Sequence, residues 1–124
     1  MASRVTARQP QPDHPHITPA SRREWRAWLQ KHHTRARGVW VIYAKKHSGI
    51  PSLTWQEGVE EALCFGWIDN TQKSMDAERY ATRFSPRRPK SNWTETNKER
   101  VRSLIAEGKM TESGLATLPP DMER

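Results

Sequence analysis

The sequence predicts an α+β domain: a small, mainly antiparallel three-stranded sheet with helices packed on it, in the order α-β-α-β-β-α-α. Three observations carry this expectation. Ser21 with Glu24 and Thr54 with Glu57 have the reciprocal spacing of a capping box, and each opens a stripe of apolar residues at helical intervals. The run VWVIYA over 39–44 is apolar on both faces and rich in β-branched and aromatic residues, which suits a covered strand. Beyond Gly66 the pattern changes to a period of two, the mark of strands with one buried face.

The elements follow in order. Residues 1–16, rich in Pro, Gln and Arg, bury too little to repay ordering and read as a disordered tail. The tail holds no apolar run long enough for a signal peptide or a membrane span, so a cytoplasmic protein without membrane insertion is expected. A first helix spans 21–33, carried by Trp25, Trp28, Leu29 and His32. Gly38 precedes the strand 39–44, and KKHSGIPS is a loop by its charge, Gly and Pro. The second helix runs from Thr54 to about Phe65, with Gly58 a weak point that permits close packing. Strands near 67–73 and 79–85 form a hairpin around Ser74–Glu78. A turn symmetric about Asp76 sets Asp69 opposite Arg83, puts Ile68, Tyr80 and Phe84 on the apolar face, and leaves Trp67 on the other. Ser91 or Thr94 caps a third helix with the stripe Asn97, Val101, Leu104 and Ile105, and Gly108 ends it. A fourth helix from Thr111 to Leu118 stops at two prolines, and 119–124 form a short tail.

At 124 residues with one cysteine, the chain fits one domain over 17–118, held by packing and not by disulfides. Cys64, between Leu63 and Phe65, reads as a buried, inert thiol; a nucleophile is the alternative. His14 with His16, and His32 with His33, lack the further ligands a metal needs, so neither metal nor cofactor is expected. No phosphate loop, dinucleotide glycine pattern, serine elbow or two-histidine zinc helix occurs.

The net charge is +7, and most of it lies between Arg79 and Lys109, where nine cations face three acids. FSPRRPKSNW, residues 84–93, is the centre of this excess. Arg79, Arg83, Arg87, Arg88 and Lys90 suit phosphate or carboxylate oxygens, and Pro86 and Pro89 restrict the loop that presents them. The competing reading is structural: Arg83 paired with Asp69, Arg79 with Glu78 or Asp76, and the rest a solvated face. Trp67 and Trp93 are the tryptophans that could stack on a ligand, with burial in the core as their alternative. Asp69 beside an arginine suits an ion-paired orienter better than a proton-transfer group. The expected partner is nucleic acid or a small phosphorylated or carboxylated ligand. A small-molecule enzyme or sensor around Trp67, Asp69, Tyr80 and Arg83, or a module that docks an acidic protein, are the other readings.

The stretches SRREWRAWL, GVWVIYAKKHSG, EALCFGWIDN, ERYATRFSPRRPKSNWTETNKERV and LIAEGKMTESGLA resemble, in order and wording, the YdeI/OmpD-associated (bacteriocin-protection) family over about residues 17–118. The resemblance implies the compact α+β fold of the YjbR/CyaY-like superfamily and a link to envelope stress and antimicrobial-peptide resistance. It supplies no catalytic residue. Its motif positions fall here on Phe65 to Asp69, on Arg79, Tyr80, Arg83 and Phe84, and on Pro86, Arg87, Ser91, Trp93 and Asn97. Asn70 stands where many relatives have Gly, which puts a tight ligand approach there in doubt.

Overall fold

The structure is a computed structural model, and it describes residues 14–88 and 92–122. Its elements are β1 (His16–Ile17), α1 (Arg22–His32), β2 (Val39–Ala44), α2 (Trp55–Cys64), β3 (Trp67–Ser74), β4 (Arg79–Pro86), α3 (Glu95–Ala106) and α4 (Glu112–Leu115), with a 3-10 turn at Lys46–Ser48. The fold is α+β, but the sheet has four strands and not three, in the order β1-β2-β4-β3. The extra strand takes in His16, the last residue of the expected tail, and Ile17 after it. His16 and Ile17 pair in parallel with Trp40 and Val41, so the sheet is mixed. Two residues framed by Pro15 and Pro19 present no alternating pattern to read, which is why the pairing was not foreseen. Residues 1–13 of that expected tail and 123–124 of the C-terminal one lie outside the described residues.

The caps form as their spacing predicts. Ser21 Oγ accepts from the Glu24 amide at 3.2 Å and Thr54 Oγ1 from the Glu57 amide at 3.2 Å, and Glu57 returns a bond to the Thr54 amide. At α3 the cap is Thr94, whose Oγ1 accepts from the Asn97 amide at 3.1 Å; Ser91 lies outside the described residues. Helices α1 and α2 lie on one face of the sheet. Trp25 of α1 meets Phe84 of β4, Trp28 meets Trp67 of β3 edge-on, and Gly58 of α2 lies against Tyr43 of β2. Val39, Val41, Leu53, Leu63 and Val101 complete this core.

The hairpin register differs from the symmetric one. Ile68 pairs with Ser85 and Asp69 with Phe84; Asn70 is then skipped, and Thr71 pairs with Arg83. Asn70 is therefore the extra residue of a β-bulge. Odd-numbered residues of β3 change sides there. Trp67 and Asp69 share the helix side with Phe84, while Thr71 and Lys73 share the opposite side with Arg83 and Ala81. The expected Asp69–Arg83 pair does not form, because neighbours on a strand point to opposite faces and Asp69 sits beside Phe84. Trp67 is likewise not an exposed stacker: it is 1% exposed and part of the core.

Candidate functional site

The face of the sheet away from α1 and α2 is built from alternate residues of all four strands. One row crosses the whole sheet: His16, Trp40, Arg83 and Thr71 are register partners in turn. Trp40 is the floor of this face. The His16 ring stacks on it at 5.9 Å, Lys73 Nζ lies 4.1 Å from its centroid and the Arg83 guanidinium carbon 6.0 Å. Both cations therefore rest on the electron-rich face of one indole. His16 Nε2 and Lys73 Nζ are 3.3 Å apart, which fits a neutral imidazole accepting from the ammonium.

Beside this row the surface sinks into a cleft of about 560 Å³. Arg37, from the segment before β2, Arg83 of β4 and Arg88 just past β4 all line it, together with His14. Ile68 and Pro86 are its apolar walls, and Asn70 and Ser85 its neutral polar groups. Among the described residues no carboxylate lines it. Ser85 Oγ donates to Asn70 Oδ1 at 3.0 Å, so the bulge residue is tied to its partner strand, with its acceptor already engaged. Arg83 Nε is buried and has no hydrogen-bond partner among the described residues.

The expected site residues separate into groups. Arg83 and Arg88 meet in the cleft. Arg87 does not: it is 9% exposed, its Nη2 donates to the Asn92 carbonyl at 2.8 Å, and its guanidinium lies 3.8 Å over the Trp93 ring. Burial lowers the Arg87 guanidinium from its ordinary value, and the charge of Asp69 opposes that. Arg87 and Trp93 thus pack on each other past the end of β4, and Asp69 lies on the side of the hairpin opposite Arg83. Arg79 is exposed at the hairpin turn, where its amide donates to Asp76 Oδ1 at 2.8 Å. Tyr80 stacks on Tyr43 and lines a separate cavity of about 630 Å³, walled by Ile50, Pro51 and Trp55. Trp67, Asp69, Tyr80 and Arg83 therefore do not converge. Lys90 lies outside the described residues.

Cys64 is fully buried, and burial first, then the charge of Glu61, pushes its thiol up to about 11 against the pull of Arg26. It is neutral and unreactive near pH 7. Among the described residues no group of three or more His, Cys, Asp or Glu could hold a metal, and no helix is long and apolar enough to cross a membrane.

Sequence reasoning missed Arg37 and Ser85, weighed His14 with His16 only for a metal and Asn70 only as a departure from the family pattern, and did not find the platform of Trp40, Lys73 and His16. Each comes from a different segment, and only strand pairing joins them. One signal was available. A side chain added at Gly38 would meet the His14 ring at 2.8 Å, so a glycine just before an apolar strand marks where another segment crosses close to the backbone.

Residues 17–117 match a family model described as a domain of unknown function (DUF8412). The chain belongs to this family. The stretch matched to DUF8412 takes in Arg37, Asn70, Ser85, Arg83 and Arg88, and leaves His14 just before it. No match was found among curated proteins or among solved structures.

Proposed function

We propose that this chain is an anion-binding domain and that its site is the cleft formed by Arg37, Arg83 and Arg88 on the open face of the sheet. One observation carries the reading: three arginines line one cleft with no carboxylate among the described lining residues. Cations kept without counter-charge on a fold of net charge +7 repel one another, and a bound anion removes that repulsion. Arginine forks hold planar or tetrahedral oxyanions through paired hydrogen bonds, which gives geometry as well as charge.

The reading keeps Arg83 and Arg88 from the sequence expectation, adds Arg37, and leaves out Arg79 and Arg87. The test is a titration with a polyanion such as heparin at two salt concentrations. Binding should weaken as salt rises and should fall at least about tenfold in the double variant Arg83→Gln/Arg88→Gln, two charge-assisted contacts being lost. Arg79→Gln, which removes a charge at the far end of β4, is the control and should change it little. Equal losses in the double variant and the control would mean that overall charge, and not the cleft, does the binding.

A further inference from the structure

Resting on that anion-binding reading, we infer that the occupant of the cleft is a small phosphomonoester, its phosphoryl group held by Arg83 with Arg37 and Arg88, and not a strand of nucleic acid. The polar groups left over in the cleft are mostly donors. The three arginines carry donors only and Asn70 adds its amide hydrogens, against which the acceptors are the His14 ring, the Ser85 hydroxyl and the remaining lone pair of the Asn70 oxygen. A ligand that satisfies such a lining must be rich in acceptors.

Charge narrows the class. Three arginines and no carboxylate are among the described lining residues, so a single carboxylate would leave two charges uncompensated. A phosphomonoester carries about −1.5 to −2 near neutral pH and offers three acceptor oxygens. Size and shape narrow it further. A volume of about 560 Å³ falls in the range of small-molecule sites, and Ile68 and Pro86 offer a limited apolar wall for the organic part.

Proteins that hold single strands without sequence preference combine a basic groove with aromatic platforms on which unpaired bases stack. The tryptophans nearest the cleft do not provide them. Trp40 is 9% exposed beneath His16 and Lys73, Trp67 is buried under Trp28, and Trp93 lies under Arg87.

Calorimetric titration of the full chain with inorganic phosphate, glycerol phosphate, acetate and a short single-stranded DNA lacking terminal phosphates tests the inference. Saturable binding of both phosphates, with acetate at least about tenfold weaker and the DNA displaced by phosphate, is the expected result. Arg83→Lys keeps the charge but loses the Nε–H and the fork, and should weaken phosphate binding about tenfold at an unchanged thermal midpoint. If that variant unfolds, Asn70→Asp takes its place: a carboxylate in the cleft should abolish phosphate binding. DNA binding that phosphate does not displace, acetate binding equal to phosphate, or an Arg83→Lys or Asn70→Asp variant that binds as tightly as the parent would each overturn the phosphomonoester while leaving anion binding intact. No binding of any of the four, together with no heparin binding, would overturn both.

Discussion

Glu61 is 2% exposed and is the acid about which the two long N-terminal helices are joined. Its Oε2 takes Arg22 at 2.7 Å and its Oε1 takes Arg26 at 2.9 Å, while Arg26 reaches on to the Lys109 carbonyl at 2.9 Å. Burial pulls both guanidinium groups down, but hydrogen bonds and charge contacts with Glu61, joined by Glu60 for Arg22 and by Cys64 for Arg26, outweigh it, so both end above their ordinary value. Breaking a fully buried pair costs about 3–5 kcal/mol; here both arginines reach solvent and can rehydrate, so the loss should be smaller. Glu61→Ala should lower stability by about 2–3 kcal/mol, read as a shifted urea midpoint with an unchanged slope. A shift under about 0.5 kcal/mol would show that the arginines find other partners. Arg87 makes the complementary point. Its position in a run of cations suggested a ligand contact, yet its guanidinium plane lies on Trp93 and its Nη2 donates to the Asn92 carbonyl.

At the scale of elements, α2 contains a conflict that magnitudes decide. Gly58 costs its helix about 1 kcal/mol relative to alanine. A Cβ at that position, however, would lie 2.5 Å from Tyr43 Oη, and Tyr43 is 1% exposed and stacked on Tyr80. The Gly58 carbonyl also accepts from Trp25 Nε1 at 2.9 Å, so the helix cannot shift without disturbing α1. Overpacking costs about 1–3 kcal/mol, which exceeds the propensity gain. Gly58→Ala should therefore lower the thermal midpoint, and adding Tyr43→Phe should restore part of the loss by removing the oxygen. Additive effects of the two changes would refute the contact.

Helices and strands were legible where local chemistry specifies them. Capping pairs such as Thr54 with Glu57 and the apolar run of β2 act within one segment, so their ends come out within a residue or two. The bulge was not legible, because one inserted residue leaves the alternation on either side of it intact and only the partner strand reveals which residue is skipped. That single feature reversed the sides of Trp67 and Ile68 and moved the candidate site. Arg83 and Arg88 were visible as charge; Arg37 and His14 were not, since nothing local links them to β4.

For the whole molecule, helices and core lie on one side and the cationic side chains of the sheet on the other. A net charge of +7 with several cations gathered near Trp40 opposes the compact state, and salt screens such repulsion over a Debye length of about 10 Å at 0.1 M. The half-buried triad of Glu61, Arg22 and Arg26 is screened much less. Raising sodium chloride to about 0.5 M should then raise the thermal midpoint while it weakens anion binding. A midpoint that falls would mean that ion pairs outweigh repulsion in this fold.

Strand β3 is an edge of the sheet, eight residues long and polar toward solvent from Asn70 onward. A straight edge of that length offers unpaired amides to any second chain, the first step of sheet-to-sheet aggregation. The insertion at Asn70 twists the strand midway and breaks the regular spacing of those amides. The same residue that lines the cleft thereby makes β3 a poor template, so one side of the sheet stays open without inviting another copy of the chain to extend it.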